Sequence, residues 1–78
     1  MKDDITMLKD DETRKKELGK RLRMYRMASK LTQKDVAKIL GVNFSTVAMW
    51  ETGQRVPSAL RFEELLELYD VRLTMSYK

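Results

Sequence analysis

Neither cysteine nor histidine occurs in this 78-residue chain. The first absence removes disulfides and thiolate metal sites. The two together remove the usual zinc ligand sets, a Ser-His triad and a Cys-His nucleophile. Carboxylates alone remain for acid–base chemistry, and nothing in the sequence gathers them around a pocket. No glycine-rich phosphate loop occurs either. We therefore expect a non-enzyme, with no catalytic residue, no metal ligand and no cofactor. No apolar run approaches the roughly eighteen residues of a membrane span, and no signal-peptide pattern is present. The expectation is a soluble, cytoplasmic protein with no membrane partner. A chain of this length makes one small domain with a thin core, a size at which dimerisation helps stability.

What is abundant is positive charge, and it is unevenly spread. The formal net charge is +4. Residues 1–12 carry two lysines against five acids, and residues 57–78 carry three basic residues against four acids. Residues 13–56 hold eleven Lys or Arg against Glu17, Asp35 and Glu51. A charge cluster alone is more often a solvated face than a binding site. This one coincides with a motif that changes the preference toward a polyanion partner.

The motif is QKDVAKILGVNFSTVAMWE, residues 33–51. Val36, Ala37 and Leu40 fall at helical intervals and share one face of a helix. Gly41 follows at once, where a turn between crossing helices needs φ > 0. Val42 plugs the corner. Asn43 is a good N-cap for a second helix, whose buried side carries Val47 and Trp50 one turn apart. Ala37 lies where these helices cross, and a larger side chain would push them apart. Each position is fixed for a different packing reason, and together they describe a helix-turn-helix.

Around it, residues 1–10 show no periodic apolar face and are read as a flexible tail. From about Asp11 a helix begins, with Leu18, Leu22 and Tyr25 recurring at four and three. Asp10, Asp11 and Glu12 suit its positive N-terminus. Gly19, inside that helix, costs roughly 1 kcal/mol against Ala and marks a candidate close contact. The helix should end near Ser29-Lys30. Thr32 caps a second helix over 33–40, with Asp35 as a capping-box partner. A third spans 44–51 and is terminated by Gly53. Ser58 is the candidate cap of a fourth over 59–69, with Leu60, Leu65, Leu66 and either Tyr69 or Leu68 as core candidates. The tail then changes period. Val71, Leu73, Met75 and Tyr77 alternate with polar residues, the pattern of a half-buried strand. The methionines are not read as a ligand set. Met24, Met27 and Met75 fit packing, and only Met49 stands at a functional position.

Residues Leu18 to Val71 resemble the Cro and lambda-repressor family, the Xre-type helix-turn-helix proteins. Thr32-Gln33, Ala37, Gly41, Val42, Val47, Trp50-Glu51, Gly53 and Pro57 carry the resemblance. It implies a mainly α fold, a small four- to five-helix lambda-repressor-like domain over 11–70. The alternating tail adds a short C-terminal β-strand over 71–78. In such proteins Lys30 is often Gly or Asn, so its backbone is expected to be mildly strained or differently shaped. The resemblance further implies an ion pair between Arg26 and Glu51, a structural role for both.

The third helix presents Phe44, Ser45, Ala48 and Met49 away from Val47 and Trp50, and the matching family positions reach base edges in the major groove. Ser45 can donate or accept, while the other three offer only van der Waals contact, most usefully to thymine methyl groups. Direct readout should be modest, with weight on DNA shape. Phosphate anchoring falls to Gln33 at a helix N-terminus, Asn43 and Thr46 beside the recognition helix, and Gln54 and Arg55 after it. Lys34 and Lys38 add general attraction.

The leading expectation is a sequence-specific regulator of double-stranded DNA, a repressor acting as a homodimer on a two-fold symmetric operator. One short helix reads too few base pairs, whereas two helices about 34 Å apart read successive major grooves. No effector-binding domain is expected alongside it, so control would come from concentration, degradation or a protein partner. The alternative is an antitoxin. A Leu-rich helix leading to an alternating strand resembles HipB-type antitoxins, which neutralise a partner toxin and repress their own operon. Either reading gives Val71, Leu73, Met75 and Tyr77 to dimerisation, and both imply a bacterial or phage origin.

Overall fold

The computed structural model describes the backbone of residues 10–76 and the side chains of residues 10–70. The expected flexible tail lies almost wholly outside the described residues, as does Tyr77. Four helices follow one another: α1 Asp11–Ala28, α2 Gln33–Leu40, α3 Phe44–Thr52 and α4 Ala59–Ser76.

Their ends are set by local chemistry. Asp10 caps α1, accepting from the Thr13 N–H at 2.8 Å. That bond, with the Thr13 hydroxyl, holds its carboxyl below the usual range. At the other end Lys30 adopts φ 60. Its N–H returns to the Met27 carbonyl, and that of Leu31 to the Arg26 carbonyl. This is a Schellman closure with lysine in the left-handed position that glycine or asparagine normally takes. Thr32 and Asp35 form a reciprocal capping box on α2, at 3.0 and 2.9 Å. Gly41, at φ 73, closes α2, and Val42 N–H bonds back to the Ala37 carbonyl. Asn43 has extended cap geometry but makes no side-chain cap bond. Ser58 accepts from the Arg61 N–H at 3.2 Å and starts α4.

The core is small and continuous: Leu22, Val36, Ala37, Val47, Trp50, Leu65 and Tyr69. Leu18, Leu31, Leu40, Val42, Phe62 and Leu68 pack around it. Helix α1 lies on α3 so closely that Gly19 meets the α3 backbone. A Cβ at Gly19 would stand 2.7 Å from the Trp50 carbonyl oxygen. Arg61 ties α4 to α2 by donating to the Leu40 carbonyl at 3.0 Å, and it also pairs with Glu64.

Several expectations are corrected. The expected C-terminal strand is not found among the described residues: residues 71–76 continue α4 as helix. No glycine or proline follows Pro57 to stop that helix. A strand inside one chain would also have no partner for its N–H and C=O groups, whereas helix satisfies them in place. Leu60, at 66 % exposure, and Leu66 stand outside the core, with Leu65 and Tyr69 carrying that side of α4. Tyr25 is partly exposed, and Met24 and Met27 are exposed rather than packed. Met24 and Met27 lie on the solvent side of α1, because the α3 contact is centred on Gly19 and Leu22, whereas Tyr25 borders α4.

Candidate nucleic-acid interface

The orientation of α3 follows from what it buries. Val47, Trp50 and Glu51 face inward, so the opposite stripe is presented outward. Phe44 and Ser45 are exposed, and Ala48 and Met49 are half-buried. Thr52, one turn beyond Ala48, belongs to the same stripe and is exposed. Its hydroxyl is engaged, donating to the Met49 carbonyl at 3.3 Å. Helical spacing from Ala48 and Ser45 could have identified Thr52 in the sequence.

The groups expected to meet phosphates surround this stripe. At the start of α2, Thr32 already holds the N–H groups of Asp35 and Val36. The N–H groups of Gln33 and Lys34 are then what the helix end offers an anion. The Gln33 side chain is half-buried and turned inward, donating to Glu51 Oε1 at 3.1 Å. Lys34 and Lys38 are exposed one turn apart on α2. Lys34 Nζ stands over the Phe44 ring, 5.8 Å from its centroid, a cation–π contact joining α2 to the outward stripe. Asn43 is exposed with its side chain unused in capping, and Thr46 is half-buried. Beyond α3, Gln54 and Arg55 are exposed, and Arg55 N–H bonds to the Met49 carbonyl.

One further cation joins them. A shallow groove of about 490 Å³ is lined by Arg23, Arg26, Thr32, Gln33, Lys34 and Phe44. Arg23 is exposed on α1 at its edge. The sequence gives little sign of this, because Arg23 is one of many basic residues between the apolar positions of α1. Its position beside Lys34 comes only from the packing of α1 against the start of α2.

Beneath the stripe lies the ion pair. Arg26 Nε donates to Glu51 Oε2 at 2.7 Å and its Nη2 to Oε1 at 3.1 Å. Its Nη1 donates to the Leu31 carbonyl at 2.8 Å. Side-chain exposure is 12 % for Arg26 and 4 % for Glu51. The bonds to Glu51 raise the Arg26 pKa further above its ordinary value against the opposing effect of burial. Tyr69 sits against the same pair. Burial, with the Glu51 charge adding to it, pushes its phenol up to about 12. The pair and Gln33 thus join α1, the start of α2 and the end of α3 through hydrogen bonds, and so fix the tilt of the outward stripe.

Among the described residues no cluster of three or more His, Cys, Asp or Glu could hold a metal. No helix among them is long and apolar enough to cross a membrane.

Short helices packed in this way, with one presenting its outer face between flanking cations, define a helix-turn-helix DNA-binding domain. The helix-turn-helix family model of the Xre and Cro/lambda-repressor type matches residues 22–75, and the chain belongs to that family. It is therefore a DNA-binding transcriptional regulator in the general sense, of a family that is regulatory rather than catalytic. No curated protein and no solved structure matches the chain.

Proposed function

We propose that the chain is a sequence-specific repressor that occupies a two-fold symmetric operator as a homodimer. The observation that carries this reading is the outward stripe of α3, standing open between the N-terminus of α2 and the Arg55 loop. Phe44, Ser45, Ala48 and Met49 are the base-reading set. Gln33 (through its backbone N–H), Asn43, Thr46, Gln54 and Arg55 hold phosphates, helped by Lys34, Lys38 and Arg23. Phosphate contacts set register and base contacts set preference.

Titration of duplex binding between about 50 and 200 mM salt should show at least a tenfold loss. Arg55→Ala should weaken all sequences nearly equally, whereas Ser45→Ala and Met49→Ala should change preference at particular base pairs. Salt-independent binding, or none to any duplex, would remove the proposal.

For the dimer, support comes from the exposed side chains Tyr25 and Leu66, which line one groove between α1 and α4 with Tyr69 and the acidic Glu67 and Asp70. Helix α4 continues past this groove through residues 71–76. A helical contact along α4 replaces the strand pairing in our reading. Truncation after Asp70 should shift the protein toward monomer in sedimentation and weaken operator binding more than non-specific binding. An equally tight truncated dimer would move the interface elsewhere. The antitoxin alternative drew on a C-terminal strand, and with residues 71–76 helical it loses that motive.

A further inference from the structure

The outward stripe of α3 holds no side chain able to make a bidentate contact to a base. Phe44, Ala48 and Met49 are apolar, the Thr52 hydroxyl is engaged with the Met49 carbonyl, and Ser45 supplies the one remaining hydroxyl. The long donors, Arg23, Lys34, Lys38 and Arg55, lie on α1, on α2 or in the loop after α3, outside the stripe. Guanine and adenine are read in the major groove by arginine, lysine or amide forks; the stripe has none, and the nearest amide, that of Asn43 at the N-cap of α3, is assigned to a phosphate in the reading above. The apolar feature that the groove does offer is the C5-methyl group of thymine.

We propose that this stripe is a reader of C5-methylated pyrimidines, taking thymine and 5-methylcytosine alike and rejecting uracil and unmodified cytosine. The proposal rests on the DNA-binding reading above and goes beyond it, because it makes the protein responsive to cytosine methylation. Phe44 is the principal element, with 52 % of its surface exposed. A ring so exposed on an otherwise polar rim gains most from covering another apolar group. Lys34 over the ring holds it at the edge of α2, so the methyl-reading surface and a phosphate-seeking ammonium are placed by one contact. Ala48 and Met49 continue the apolar surface along the groove. The methyl group of 5-methylcytosine occupies the same ring position as that of thymine. A surface that reads the methyl and makes no fork to the partner purine has no means of separating the two. Ser45 does not break this equivalence, since its hydroxyl donates or accepts as required.

The test uses the full chain and random-core duplex libraries synthesised four ways, with thymine or uracil and with cytosine or 5-methylcytosine. Sequences selected from the thymine library should lose about fourfold in affinity for each contacted thymine replaced by uracil, the loss of one buried methyl. In the library with uracil and 5-methylcytosine, the selected motif should return with 5-methylcytosine where thymine stood. With uracil and unmodified cytosine it should not return. Phe44→Ala and Met49→Ala should shrink the thymine–uracil difference, with circular dichroism confirming that each variant is folded. The base substitutions on the unaltered protein need no variant at all. Tight, salt-dependent binding that is equal for thymine and uracil duplexes would overturn methyl reading and leave DNA binding standing. A thymine–uracil difference without recovery by 5-methylcytosine would overturn the equivalence. No binding to any library would overturn the DNA-binding reading itself.

Discussion

Removing one partner of the Arg26–Glu51 pair should be the most damaging polar substitution among the described residues. Glu51 receives three hydrogen bonds, from Arg26 Nε, Arg26 Nη2 and Gln33 Nε2. Glu51→Gln keeps the shape but withdraws the charge and turns an NH₂ group toward donors. Arg26→Met keeps much of the apolar stem, deletes the guanidinium, and leaves the Leu31 carbonyl without its donor. Breaking a buried pair from one side costs about 3–5 kcal/mol. A 78-residue chain is held by roughly 4–12 kcal/mol in all. Either single variant should therefore lose a large share of the total stability.

At about 4–8 °C per kcal/mol for a domain of this size, the fall in Tm should exceed about 12 °C. Circular dichroism melting of the two single variants and the double variant gives the coupling directly. The double variant should be less destabilised than the sum of the singles by more than about 1.5 kcal/mol, since contacting residues couple on that scale. Additive losses, or a single-variant fall under about 3 °C, would refute the reasoning. The two side chains would then be solvated independently in solution despite the 2.7 Å separation.

Other substitutions test the backbone and the core. Gly19→Ala should lower Tm despite a helix-propensity gain of about 1 kcal/mol, because its Cβ would press on the α3 backbone at Trp50 and Glu51. A rise in Tm would mean that α1 lies farther from α3. Lys30→Gly should raise stability by about 0.5–1 kcal/mol by relieving a left-handed lysine; an unchanged melt would place Lys30 in a different closure. Tyr69 ionises near 10.0 when exposed and at about 12 in the fold. The unfolded chain loses that proton first, so stability is intact below about pH 10 and falls between pH 10 and 12. Solvent screening at the phenol limits the loss to below the roughly 2–3 kcal/mol that the full shift would carry. Tyr69→Phe should flatten this part of the alkaline melting curve, and an equally steep curve would detach Tyr69 from it.

Legibility in the sequence followed how local the cause was. Most helix ends were legible because each is set within four or five residues; the end of α4, expected at 69 and found at Ser76, was not, and Asn43 makes no side-chain cap bond. Thr32 with Asp35, Gly41, Gly53 and Ser58 announce themselves by type and spacing. The outward stripe was legible for the same reason, since Val47 and Trp50 fix the direction opposite to it. The failures were non-local. The alternation of Val71, Leu73 and Met75 has strand period, but strand period needs a partner that one chain cannot supply, and an unbroken helix takes its place. Leu60 and Leu66 match the type of core residues, yet only the packing of α4 decides which of its leucines turn inward. Arg23 was hidden because its neighbour across the groove, Lys34, belongs to another helix. Gln33 was read from its place at a helix end, and its side chain instead serves Glu51.

The two halves of the proposed interface respond to different perturbations, and that difference is a consequence of its composition. Phosphate anchoring by Arg55, Lys34, Lys38, Arg23 and the start of α2 is electrostatic and weakens steeply with salt. Reading by Phe44, Ala48 and Met49 is apolar and carries no charge to screen. Raising salt should therefore lower affinity for operator and random DNA together while leaving their ratio nearly constant. Arginine or lysine at the reading positions would instead couple selectivity to ionic strength. Apolar reading is weak per contact, so two copies of the stripe are needed for useful selectivity. In the proposed dimer, the exposed apolar side chains beside α4 would bring the second copy.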